Sequence, residues 1–184
     1  MIFVRTSLTE LPLTNNSVDA IVSDAVFEHC KDMEGLLAES RRVIRADGIV
    51  YAAYGPLWHC AGGDHFSGRG GLEHVFNHLG LSPSEYRAYF ESESHSVEDF
   101  QSGGRYVELD LFSKMTTREY FDAFDRTGFD LVDLVLEVSS ESLAYRRAYP
   151  NNFSQLTSDT VSEDDLLIKA NLVVLRPKPF TRAL

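Results

Sequence analysis

Cysteine is scarce: Cys30 and Cys60 are the only two in 184 residues. Two thiols make no disulfide framework, and the expected compartment is reducing and cytoplasmic. Long apolar runs are missing too. None approaches the roughly 20 residues that a bilayer-spanning helix needs, so no membrane segment is expected. No charged stretch followed by an apolar one opens the chain, so no signal peptide is read there. The glycosylation patterns at Asn15-Asn16-Ser17 and Asn152-Phe153-Ser154 therefore carry little weight. Basic residues are few. Lys and Arg number 17 against 28 Asp and Glu, a formal charge of −11. That balance argues against nucleic acid or an anionic membrane surface as partner, since both need basic patches. A small nucleotide-like ligand stays open, and scattered acids also serve plain solubility.

What is present suits one folded domain, 43% hydrophobic and long enough for a real core. The chain is organised around Val18-Asp19-Ala20-Ile21-Val22-Ser23-Asp24. This short apolar run reads as a buried strand, and Glu28-His29 follows just beyond its carboxyl end. Ligands of open α/β sheets bind at that edge. A helix from Met33 to about Ala46, with Asp32 as cap, puts Leu36, Leu37, Ser40, Val43 and Ile44 on one face. Gly48 ends it, and a strand runs from Ile49 to Tyr54. Met1 to Arg5 reads as an earlier strand, and Thr6 to Ser17 as a connection that Leu8, Leu11 and Leu13 could dock on the core.

Residues 56–115 change character. Glycine is dense, helical candidates lie at Gly71–Leu79 and Ser82–Phe90, and Glu91–Gly104 reads as a mobile loop. The block looks like a lid or substrate wall inserted over one sheet edge within a single domain of residues 1–184. Thr116 to Glu119 is a capping box opening a helix to about Thr127. Strands at Phe129–Val138 and Leu166–Leu175 follow, with a helical piece near Leu143–Ala148 between them. These last two strands are expected to be antiparallel neighbours.

Leu11-Pro12-Leu13, Asn16 to Ser23, Glu28-His29 and Leu36 to Gly48 together resemble class I S-adenosylmethionine-dependent methyltransferases of the small-molecule type. Thr127-Gly128-Phe129 is similar to the family's late helix-to-strand turn. The resemblance covers about the last three-fifths of such a domain. It implies a partial Rossmann-like α/β sheet, mostly parallel with its last two strands antiparallel, and S-adenosylmethionine as cofactor. The family's glycine-rich loop after its first strand is absent, as is the acidic residue ending its second. The expectations, in order, are a fragment of a longer protein, a complementing chain or homo-oligomer, or a fold closed differently.

The resemblance places Ser7 and Leu8 at the adenine. Ser23, Asp24 and Ala25 would pass beneath the methionine and sulfonium, with Phe27, Tyr54 and Trp58 as aromatic faces for the cation. Methyl transfer relies on positioning, with a general base where the acceptor is a hydroxyl. His29, His59 and His65 are the base candidates, and Asp64 could orient one of them. Glu28, Tyr54, Trp58 and Asp64 are candidates for the side of a small-molecule acceptor. Each also has a plainer reading as strand-end packing or loop stabilisation. Two alternatives stand beside this one. The first is a methyltransferase-like protein that cannot hold the cofactor alone. The second is a metal enzyme built on the His59–His78 span, where His74 and His78 at four-residue spacing would share a helix face.

Overall fold

A computed structural model describes residues 4–93 and 111–179. Four strands form one mixed sheet: β1 (Val18–Asp24), β2 (Ile44–Tyr54), β3 (Phe129–Val138) and β4 (Ile168–Pro177). Their spatial order is β1-β2-β4-β3. The β1–β2 pair is parallel, joined through α1 (Met33–Val43). The pairs β2–β4 and β3–β4 are antiparallel, so among the described strands one pair in three carries the expected parallel character. Of the strand expected at Met1–Arg5, residues 1–3 lie outside the described residues, and Val4 and Arg5 are irregular.

Helix α1 begins where expected. The Asp32 carboxylate accepts from the Gly35 amide at 2.9 Å, and Gly35 is the residue that fits, because a Cβ there would lie 2.2 Å from Asp32 Oδ2. It ends three residues early. Ile44 is already extended, at φ −76° and ψ 144°, and opens β2. The register jumps from Val18↔Ile44 to Ala20↔Ile49, so residues 45–48 bulge out of the ladder. Gly48 belongs to this bulge rather than to a helix cap. A Cβ on it would come within 2.8 Å of the Asp19 carbonyl.

Alternation along β2 divides the sheet into two faces. Val50, Ala52 and Tyr54 point inward and pack with Val173 and Leu175 of β4. Over them lie Leu36 and Leu37 of α1, and Tyr120, Ala123 and Phe124 of α4 (Thr117–Arg126). Thr116 caps α4 in a full capping box with Glu119. The opposite face carries exposed Val22, Ile49, Tyr51 and Val135.

After β2 the chain turns through a cis Gly55–Pro56 bond. It then builds a region with two short elements, α2 (Asn77–Gly80) and α3 (Pro83–Glu93). Phe66, Tyr86, Tyr89 and Phe90 form its own small core. Most of the expected Glu91–Gly104 loop, from residue 94 on, lies outside the described residues; Glu91 to Glu93 close α3. Between β3 and β4 stand α5 (Ser140–Ala148), α6 (Pro150–Gln155) and α7 (Glu163–Leu167). Val75 and Phe76 pack against Tyr145, Phe153 and Leu166, joining this segment to the one after β2.

Candidate functional site

The corner beyond β1 is built from a single backbone reversal. Ala25 adopts φ +52°, a left-handed conformation uncommon outside glycine, and its amide donates to the Ala53 carbonyl at 2.9 Å. This turns the chain into a 3₁₀ turn, Phe27–His29. Phe27 drops into the core, its ring 5.2 Å from Tyr54 and 6.4 Å from Phe124. Glu28 is carried down with it and is 2% exposed.

Neither carboxylate oxygen of Glu28 makes a well-formed hydrogen bond among the described residues. Burial pushes its pKa up, and the nearby amides of Glu28 itself and Gly55 counter that only in part. Around it the Tyr120 hydroxyl meets the Phe27 carbonyl at 3.2 Å and pairs with Ser113 Oγ. Asn171 Nδ2 donates to the Tyr54 hydroxyl at 3.2 Å. Burial raises the pKa of both tyrosines, and the Glu28 charge adds to it. They stay neutral donors across the working range.

The structure brings two of the three base candidates together. His29 and His65 meet edge-on with ring centroids 5.0 Å apart, and each lies 5.4 Å from the Phe112 ring. His29 Nδ1 bonds the Leu111 carbonyl at 2.9 Å, so that nitrogen carries a proton. Burial first, and the neighbouring His29 second, push the His65 pKa down and favour the neutral ring. Trp58 packs on the other side of Phe112, 5.1 Å away, with the Lys114 ammonium 4.6 Å above its ring.

His59 stands apart. Its Nε2 bonds the Lys114 carbonyl at 3.2 Å, and it faces a separate cavity. Asp64 orients none of the three candidates. It is buried, accepts from the Ser67 amide at 2.8 Å, Ser67 Oγ at 2.9 Å and the Tyr86 hydroxyl, and faces His78. His78 Nε2 donates to the Trp58 carbonyl at 2.8 Å. Its Nδ1 is then unprotonated, and the 3.6 Å approach to Asp64 is no hydrogen bond. This group ties the segment after β2 together.

The metal alternative loses its geometry. His74 ends a 3₁₀ turn, Leu72–His74, while His78 belongs to α2, so they do not share a helix face. His74 packs on Tyr89 at 5.3 Å instead. Among the described residues no three His, Cys, Asp or Glu side chains gather into a ligand set.

A groove of about 540 Å³ runs along β1, the edge strand among those described. Leu8, Leu11 and Leu13 form one wall, and Ala20, Ser23 and Asp24 of β1 line it as well. Ser7 stands beside it, its hydroxyl paired with Thr9 Oγ1 at 2.8 Å. Ala25 borders a smaller recess at the carboxyl ends of β1 and β2.

The wall is held by an arrangement that sequence reasoning missed. Arg42 donates to the carbonyls of Leu11 and Leu13 at 3.0 and 2.7 Å and to Asn15 Oδ1 at 2.8 Å. Glu39 accepts from the Leu11 amide at 2.6 Å and pairs with Arg42, which holds its carboxyl down at about 2. The signal available was an acid and an arginine three apart on α1, a spacing also common on ordinary solvated helix faces.

The sequence profile of the family described as Methyltransferase domain matches residues 1–52. No curated protein matches the chain's sequence. A protein from Bacillus halodurans C-125 assigned as a methyltransferase matches the structure with a TM-score of 0.52 at 12% identity, over 95% of this chain and 71% of its own. The 4+2 cyclase SpnF matches with a TM-score of 0.50 at 11% identity, over 96% of this chain and 55% of its own. Geranyl diphosphate C-methyltransferase from Streptomyces coelicolor A3(2) gives a TM-score of 0.48 at 12% identity, over 94% of this chain and 52% of its own. The chain thus spans little more than half the length of the latter two. The structural likeness gives the chain a partial class I methyltransferase fold, and its first 52 residues match the profile of a methyltransferase domain.

Proposed function

We propose that the chain contributes to an S-adenosylmethionine-dependent methyltransferase acting on a small-molecule acceptor, with the cofactor along β1. The observation that carries this is the apolar groove ending at Ser23 and Asp24, beside the polar corner of Glu28 and His29. Its volume, about 540 Å³, suits a ligand of nucleoside size. The bound cofactor supplies an activated methyl group on a cationic sulfur.

The residues present fit part of that molecule. Leu8, Leu11 and Leu13 offer apolar contact to a purine, and Asp24 offers a carboxylate near a positive charge. No lysine or arginine lines the groove among the described residues, so nothing there meets an amino-acid carboxylate. The rest of the cradle is proposed to come from outside the described residues, whether from further sequence or from a second chain.

On this reading His29 and His65 flank the acceptor, and the neutral His65 ring can take a proton from an acceptor hydroxyl. Trp58 and Tyr54 act through packing, as walls behind Phe112 and Glu28. One matched structure is a cyclase, so the fold by itself does not fix the reaction. That no basic residue lines the groove among the described residues favours, as second reading, a methyltransferase-like protein that does not hold the cofactor alone.

Ultraviolet crosslinking with labelled S-adenosylmethionine, followed by peptide mapping, tests the placement. Label confined to the peptides lining the groove, around residues 8–27, is expected. Label elsewhere, or none on a folded chain, overturns it.

A further inference from the structure

A second cavity, of about 650 Å³, lies away from the β1 groove, between the segment after β2 and the α5–α6 segment. Phe76, Leu79 and Tyr145 give it apolar walls; Asn77, Gln155 and His59 add polar groups. Among the described residues no lysine or arginine lines it, and the one carboxylate there, Glu73, is half exposed and turned toward His74 at 3.9 Å. An anion would find no counter-charge here.

His59 decides the chemistry. Its Nε2 faces a carbonyl, which can only accept, so the ring proton sits on Nε2. That leaves Nδ1 with a lone pair. It has no partner among the described residues and is not sealed from solvent. Burial of the ring pushes its pKa down, which keeps the lone pair available near neutral pH. A cavity with apolar walls, the side-chain amides of Asn77, Asn152 and Gln155, the hydroxyls of Thr157 and Ser158 and one imidazole acceptor fits a ligand with an apolar body and a hydroxyl to donate.

We propose that this cavity is a binding site for an uncharged, hydroxyl-bearing amphipathic small molecule, whose hydroxyl donates to His59 Nδ1. The site stands independently of the β1 groove.

Calorimetric titration of the whole chain with 4-hexylresorcinol, without any cofactor, tests it. Saturable one-site binding is expected, while 4-hexylbenzoate, similar in body but anionic, gives none. His59→Phe keeps the ring volume and removes the acceptor, so binding should weaken about tenfold. Leu79→Trp fills the cavity and should abolish binding, with circular dichroism showing that both variants fold. Equal binding of the carboxylate, undiminished binding by folded Leu79→Trp, or none by the folded wild type overturns the proposal. Because no cofactor is used, failure here leaves the reading of the β1 groove untouched, and the crosslinking result leaves this one untouched.

Discussion

Glu28 is a carboxyl group buried at a cost to this fold. It is 2% exposed, and neither oxygen makes a well-formed hydrogen bond among the described residues. Its folded-state pKa is raised above the ordinary 4.5, mainly by burial. The stability it contributes is therefore fully present below pH 4.5 and is lost as pH rises through the folded value. Glu28→Gln, which keeps the shape and drops the charge, should stabilise the chain by about 1 kcal/mol at pH 8. The gain should vanish in urea melts at pH 4. A variant less stable than wild type at pH 8 would mean the charge has a partner that favours it. The Glu28-His29 pair was legible in sequence as a polar corner. Its split was not: a 3₁₀ turn sends one side chain inward and leaves the other exposed, and residue types alone do not announce that turn.

At the scale of elements, caps read well and tertiary clamps did not. Asp32 and Thr116 start helices as expected, because capping is a local interaction among residues a few positions apart. The end of α1 was misplaced for a non-local reason. Gly48 sits where a Cβ would strike the Asp19 carbonyl of the neighbouring strand, so its requirement comes from β1 and not from the helix. The Glu39–Arg42 clamp is of the same kind, reaching 27 to 31 residues back along the chain. Arg42→Ala removes three contacts to the groove wall. Amides of residues 11–16 should then exchange with deuterium at least several-fold faster, while those of α1 stay protected. Unchanged exchange in 11–16 would show that Leu11 and Leu13 hold the wall by packing alone. The clamp also carries a pH signature. With Glu39 held down at about 2, its contribution persists above the ordinary carboxylate value and is lost as pH falls toward 2.

In the whole molecule, the sequence indicated an α/β sheet around β1, and β1 is the edge strand among those described. The strand–helix–strand unit from Val18 to Tyr54 carried that reading, because its apolar runs and helix cap are local signals. The second cavity was invisible beforehand. Its walls come from two segments about 80 residues apart, joined by tertiary contacts such as the packing of Phe76 on Tyr145 and Phe153 and the Ala61 amide donating to Ser142 Oγ at 3.0 Å. The exposed apolar face at Val22, Ile49 and Val135 was likewise hidden, since alternation shows that a strand has two faces but not which one is covered.

The β1 groove is proposed to hold the adenosine part of the cofactor, and calorimetric titration of the folded chain with S-adenosylmethionine and with adenosine tests this. Among the described residues the groove offers apolar walls and no basic residue. Both ligands should therefore bind weakly and within about threefold of each other, with Kd of about 100 μM, equivalent to roughly −5.5 kcal/mol. Ser23→Trp, which adds bulk to the groove from the α1 side of β1, should abolish both. Binding of neither ligand, or binding unaffected by Ser23→Trp in a folded variant, would contradict this placement.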